Sequence, residues 1–387
     1  LAIDAKIYGQ LALRGKLTID NQFKPSVFET QIQAEQLDNE LVFNLWPEQL
    51  FPKTRSWMNA NLSGGQVTSF YLNTGFDLKG DDLKPLFIEG TCNATVSRFE
   101  FLRGHEPIVN SEIGINFEGT KLSGTTFELN FNKGSVHGLD LKGSTLTIIR
   151  KDESVDAALA LLARGDVTDV MRMLDEPRFN FITANGLEQN TMAGMADITG
   201  SIKWQIPQTK RVMNTDEFDV KISASVENAA FSNLPGGYAL SKGAVNLQFN
   251  NGDIRVNGQG RIDDALANFY FHKDKQKNNT VDVTFSKSEA FTSILNRSFP
   301  LDLGGVIGGQ IYISDRHEDA GIDLNVNLDM GDAHFYIPRL ELTKLEGERA
   351  MASAQIRMVD GIPQDIRNIV VDADVIRMEG DISFAKG

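Results

Sequence analysis

Apolar and polar residues alternate through most of this chain. Phe70, Leu72, Phe76 and Leu78 alternate with Tyr71, Asn73, Asp77 and Lys79, and a period of two puts the first set on one face of a strand. Ile113, Ile115 and Phe117 repeat the pattern, as do Phe127, Leu129 and Phe131 opposite Glu128, Asn130 and Asn132. So do Val220, Ile222 and Ala224; Val245, Leu247 and Phe249; Ile254 and Val256; Val281, Val283 and Phe285; and Ile322, Leu324, Val326 and Leu328. Turn residues separate these runs at a spacing of about 8 to 12 residues, which predicts an antiparallel meander. Asn250-Asn251-Gly252 and Asp360-Gly361 supply residues tolerant of positive φ, and Lys273 to Asn279 reads as a polar loop.

Two stretches depart from alternation and predict helices. From Trp46 to Leu62, Pro52 suits a first helical position, Trp57, Met58 and Leu62 share a side, and Gly64 and Gly65 suit a left-handed stop. Trp57 is expected to anchor that helix on the sheet. From Ser154 to Leu174, Val155, Ala158, Leu159 and Leu162, then Val167, Val170, Met171 and Leu174, keep a helical period, with Ser154 as cap, Pro177 as stop and Gly165 dividing two pieces. Its mostly acidic charges point to a cover for a sheet face, not to a membrane-surface helix. Phe291 to Asn296 reads as one further helical turn. Residues 1–45 read as the end strands of a preceding module, alternating through Leu11, Leu13 and Leu17, turning at Asn21 and Pro25, and alternating again to Phe43. Modules follow at 46–153, 154–290 and 291–387. Glycine recurs after alternating residues in FDLKGDDL, INFEGTKL, LDLKGSTL and ADITGSI, at Gly80, Gly119, Gly143 and Gly200, which predicts strands bent at glycine.

Roughly twenty strands with one apolar face each, against two helical segments, leave too few covering elements. The strands can pair as sandwiches, close as a barrel, or curl into a trough whose apolar side protein leaves unfilled. Alternation does not choose among these, and commonness favours sandwiches.

Composition narrows function more than fold. With 387 residues, 41% of them hydrophobic, the chain can build a substantial interior. It opens on Leu1 in strand-like alternation and reads as an excerpt or processed product. No run approaches the roughly 18 to 20 apolar residues of a membrane-spanning helix. A net charge of −14 disfavours nucleic acid and broad docking on anionic lipid, so any lipid contact is expected to be apolar and local. Cys92 stands alone and reads as a small buried residue; with no Cys/His metal spacing, no cofactor is called for. Candidate chemistry is sparse. His105, His137, His272, His317 and His334 are scattered, without HExxH, GxSxG or a phosphate loop. Ser135 and His137 share a strand face but lack an orienting third group in the neighbouring sequence. Asp372 and Asp374 form a D-x-D whose simplest reading is a solvated strand face backed by Val371, Ala373 and Val375, and Asp81-Asp82 reads as an acidic turn. Dispersed catalytic carboxylates, as in a carbohydrate-active β enzyme, leave no local signature.

The Pro-led helix with Arg55-x-Trp57, then Gly64 to Val67 and alternating strands ending in Leu-x-Gly, resembles the AsmA-like, YhdP-type bridge-like lipid-transfer proteins of Gram-negative bacteria. The stretch Ala333 to Gly347, with Pro338, Lys344 and Gly347, is similar to that family's closing module. The resemblance implies the trough: a mostly β fold, a long curved antiparallel sheet forming an open apolar groove, with two short helical segments. It implies a periplasmic location, an inner-membrane anchor outside this segment, the outer membrane or its proteins at the far end, and passive transfer of phospholipid, with no enzymatic activity. The groove lining is then Phe70, Leu72, Phe76, Leu78, Ile113, Ile115, Phe117, Phe127, Leu129, Phe131, Val245, Leu247, Phe249, Val281, Val283, Phe285, Leu324 and Val326. At about 4.8 Å per strand, about twenty strands reach on the order of 90 to 100 Å. A structural β-sandwich scaffold is the alternative, and a carbohydrate-active β enzyme a third reading.

Overall fold

The computed structural model describes residues 2–6, 11–45, 52–79, 84–100, 106–120, 124–150, 154–176, 191–206, 217–234, 237–298, 302–315, 321–337, 341–359, 362–374 and 376–384. These are mostly β, in antiparallel ladders, with four helices among the described residues. The chain divides into two compact units, residues 1–165, 172–179 and 197–220, and residues 166–171, 180–196 and 221–387. That division is coarser than the four modules suggested by sequence.

In the first unit the strands Leu11–Ile19, Pro25–Asp38, Gln66–Asp77, Lys84–Phe99, Ile108–Thr120, Gly124–Val136, Thr145–Arg150 and Val155–Asp166 pair in succession. The alternation expected to continue to Phe43 stops at Asp38, where the helix Asn39–Leu45 begins. Val42 of that helix packs on buried Ala34, Leu37 and Val67, closing one end of the sheet face. The helix expected from Trp46 occupies Pro52–Asn61; Trp46 and the side chains of Pro52 and Trp57 lie outside the described residues.

The expected helix from Ser154 is half wrong. Val155–Asp166 is a strand, and only Val167–Leu174 is helical. Ala, Leu and Arg favour helix locally, but Val155, Ala157, Leu159 and Ala163 also fit a period of two. The open edge of Thr145–Arg150 offers a full ladder, Thr145 opposite Ala160 through Arg150 opposite Val155, so tertiary pairing overrides propensity. The cap is Asp166, whose Oδ1 accepts the Thr168 N–H at 2.8 Å, in place of Ser154. Pro177 lies outside the described residues.

In the second unit Asp219–Leu234, Tyr238–Asn250, Asp253–Ile262, Ala265–Lys273, Asn279–Ser288, Ile307–Asp315, Ile322–Asp329, Ala350–Val359, Ile362–Ala373 and Ile376–Ser383 pair in the same way. Asn251 and Gly252, with φ of 48° and 89°, form the expected two-residue turn. Asp263 and Asp264, at 44° and 71°, form another that the sequence did not announce. The loop after Lys273 lies where expected, while Asp360 and Gly361 lie outside the described residues. The single turn expected at Phe291 is a helix of ten residues, Glu289–Ser298. Its Phe291 stacks on Phe285 with centroids 4.2 Å apart, and with Ile294 and Leu295 it caps a core of Ala265, Ala267, Ile307, Met330, Ala333 and Ala350. Arg297 fixes the helix end by pairing with Asp263 and lying 4.8 Å over the Tyr238 ring. That partnership holds the Asp263 carboxyl below the usual range. A small sheet of Leu303–Gly305, Ala333–Ile337 and Leu342–Lys344 completes the cap.

Two of the recurring glycines, Gly119 and Gly143, mark no register shift. Gly143 sits in a turn at φ 89°, Gly119 is the penultimate residue of its strand, Gly200 lies inside the strand Met192–Ile206, and Gly80 lies outside the described residues. Register shifts fall instead at Asn110, Asn228, Lys242 and Asn368, each at φ between 51° and 53°. A bulge with one left-handed residue curves a strand without glycine, and Asn tolerates that geometry through its short polar side chain.

Candidate functional site

Cross-strand register turns the alternation into rows. In the first unit Ile32, Leu72, Gly90, Phe117, Phe127, Ile148 and Ala157 lie opposite one another across consecutive strands. Ala34, Phe70, Cys92, Ile115, Leu129, Leu146 and Leu159 form the row beside it. Phe117 stacks between Phe70 and Phe127, at 6.5 Å and 6.2 Å, and its ring lies over Gly90, where a Cβ would meet the Phe117 Cζ at 2.5 Å. Phe70, Ile115, Phe117, Phe127 and Ile148 keep part of their surface accessible, whereas Ile113 and Phe131 are buried at the closed end. Phe76 lies on the same face opposite Phe28, and Leu78 follows the strand, its N–H donating to the Ser26 carbonyl.

The second unit builds a longer row. Ala224, Leu247, Val256, Phe271, Val281, Ile313, Leu324 and Ile356 oppose one another strand after strand. Leu247, Val256, Phe271, Val281, Ile313 and Leu324 are all half-buried. Beside it run Val245, Phe269, Val283, Ile311 and Val326, and Phe249 lies one step further toward the hairpin. Phe285 differs: it is 7% exposed, inside the core beneath the helix. Ile32, Leu146, Phe271 and Ile313 were missed as members of these rows, although the alternation of TQIQA, TLTII, FYFH and IYIS was there to find them.

Cys92 reports on the character of the face. Burial pushes its thiol from the ordinary value of 9.0 up to about 11. At neutral pH the thiolate is then about a hundredfold scarcer, and higher intrinsic nucleophilicity offsets part of that, so iodoacetamide should react roughly tenfold more slowly than with the urea-unfolded chain. Equal rates would mean that Cys92 faces water.

The isolated chemistry resolves into paired charges. His137 sits in a tight turn with φ of 52°. Its Nδ1 lies 3.0 Å from Glu106 Oε2 and its Nε2 2.5 Å from Glu176 Oε1. The orienting groups that the local sequence lacked therefore come from 31 residues before and 39 after, and both ring nitrogens are turned to carboxylates, leaving neither for Ser135. Asp372 accepts from the Arg349 guanidinium and Asp374 from the Arg349 N–H. His272 pairs with Asp253, while Asp81, Asp82, His105, His317 and Val375 lie outside the described residues.

No helix among the described residues is long and apolar enough to cross a membrane. Comparison of the chain with known protein families, curated proteins and solved structures finds no match.

Proposed function

We propose that the apolar rows carry phospholipid acyl chains, and that this chain is a segment of a periplasmic bridge-like lipid-transfer protein. The observation that supports this reading is the half-exposed row from Leu247 to Leu324, which runs across consecutive strands beyond the reach of the helix and small sheet that seal the Phe285 end. A diacyl lipid with tails of roughly fifteen carbons faces a penalty above roughly 20 kcal/mol in water, at about 0.8 kcal/mol per CH₂, and a continuous hydrocarbon row removes much of it. Such a row binds without a pocket of fixed shape, so tails can slide from one strand to the next while the headgroup stays in water. The resemblance to the AsmA-like proteins supplies the two membranes and the compartment.

Purification without detergent followed by mass spectrometry tests the reading. The expected result is phospholipid retained in molar amounts, exchangeable for a fluorescent phospholipid offered on vesicles. A chain that carries no lipid and takes none up overturns it in favour of the scaffold.

A further inference from the structure

Three neighbouring strands of the second unit change character at the same register. Along the apolar face, Ala265–Lys273 presents Ala267, Phe269, Phe271 and Lys273; Asn279–Ser288 presents Phe285, Val283, Val281 and Asn279; and Ile307–Asp315 presents Gly309, Ile311, Ile313 and Asp315. Ala267 and Phe285 belong to the core sealed beneath the helix Glu289–Ser298. Two open rows remain, about 7 Å apart along the strand, which suits the two tails of a diacyl lipid lying side by side. Lys273, Asn279 and Asp315 then border the strip, opposite one another and half-buried. We infer that this border is a station for the headgroup of a zwitterionic aminophospholipid, with its phosphate at Lys273 and its ammonium at Asp315. The inference rests on the acyl-chain reading above and adds the class of headgroup.

Charge selects that class. Lys273 is joined by Lys275 and Lys277, exposed on a turn that the Asp274 N–H closes on the Asn278 carbonyl and the Lys277 N–H on the Asp274 carbonyl, each at 3.0 Å. Three cations thus fall within five residues of a chain whose net charge is −14. The Asp274 carboxylate is held by Asn278, through its N–H at 2.9 Å and its Nδ2 at 2.8 Å. Lys221, Asp253, Arg255, His272, Asp323 and Arg357 lie on the opposite face, where Asp253 pairs with Arg255 and His272, and Asp323 with Arg357. Asn279 Nδ2 donates to Asp315 Oδ2 at 3.1 Å, and a carboxylate has lone pairs left for an ammonium. Lys273 and Asp315 stand two strand spacings apart, about 10 Å, a gap that a phosphate and an ammonium joined by an ethylene bridge can fill. A headgroup without the ammonium would set Asp315 against an anion.

Uptake from vesicles tests this. The full chain is offered phosphatidylcholine vesicles holding equal traces of phosphatidylethanolamine and phosphatidylglycerol with identical fluorescent tails. The ethanolamine lipid should be taken up in about fivefold excess, the upper end for a partly exposed charge pair. Asp315→Asn should bring that ratio near one, and Asp315→Glu should keep it. Lys273→Gln should lower uptake of both lipids about fivefold with circular dichroism unchanged. Inorganic phosphate at millimolar concentration should displace neither. A ratio near one in the natural chain, a ratio kept in folded Asp315→Asn, or uptake undiminished by Lys273→Gln overturns the headgroup station and leaves the acyl-chain rows standing. Displacement by inorganic phosphate assigns the lysines to a free anion and overturns it too. Uptake of neither lipid overturns both readings.

Discussion

Lys344→Met is expected to destabilise the second unit by roughly 3 to 4 kcal/mol. Lys344 is 0% exposed, and its ammonium donates to the carbonyls of Gly331 at 2.7 Å, Ala333 at 2.7 Å and Leu345 at 2.9 Å. All three N–H groups are used, so the buried charge is fully satisfied and ties the turn after Met330 to the strand Leu342–Lys344. Hydrogen bonds to a charged group contribute about 1.5 to 3 kcal/mol each, partly offset because methionine recovers the desolvation cost of the ammonium. Gly331 O keeps the Gly347 N–H, which limits the loss. Arginine should not rescue, because a planar guanidinium cannot serve three converging carbonyls from one atom. Trp46, Trp57 and Trp204 all fall in the first unit, so tryptophan fluorescence does not follow this change. Hydrogen exchange at the amides of Leu303–Gly305 and Ala333–Ile337 does, and protection there should fall by two orders of magnitude or more at about 1.4 kcal/mol per tenfold. A loss below about 1 kcal/mol would mean that water replaces the ammonium.

Lys344 also shows where sequence and fold part company. Leu342 and Lys344 are two residues apart and share a face, so a charge at an apolar position was visible, but not its three carbonyl partners. The strands themselves were legible because each inward position is satisfied by an apolar neighbour in register, as Ile115 is by Cys92 and Leu129. Where two periods fit the same letters, as from Val155 to Asp166, only the partner strand decides. Contacts such as His137 with Glu176 depend on loops returning across the sheet, and nothing in the intervening residues encodes that meeting. The bulges at Asn110 and Asn228 left a faint signal, a break in alternation at a residue that tolerates positive φ, whereas the one at Lys242 left none in residue type.

Leu247→Asp and Phe285→Asp should part by several kcal/mol, and that difference distinguishes an open face from a closed core. Phe285 stacks 9° from parallel on Phe291, both rings beneath the helix Glu289–Ser298. A carboxylate there loses ring packing worth roughly 3 to 5 kcal/mol and has no partner for its charge, so the unit should unfold. Leu247 is apolar and on the same sheet face, but half-buried between Ala224 and Val256. Water reaches a carboxylate at that position, so the cost should stay near about 1 kcal/mol, with circular dichroism and exchange protection intact. Lipid should respond in the opposite sense. A charge in the middle of a hydrocarbon row interrupts it for every tail that must pass, and retained phospholipid should fall severalfold in the folded Leu247→Asp chain. If Leu247→Asp unfolds the unit as Phe285→Asp does, the row is sealed by protein and the strands form a sandwich. If it folds and holds as much lipid as before, acyl chains do not lie on this row.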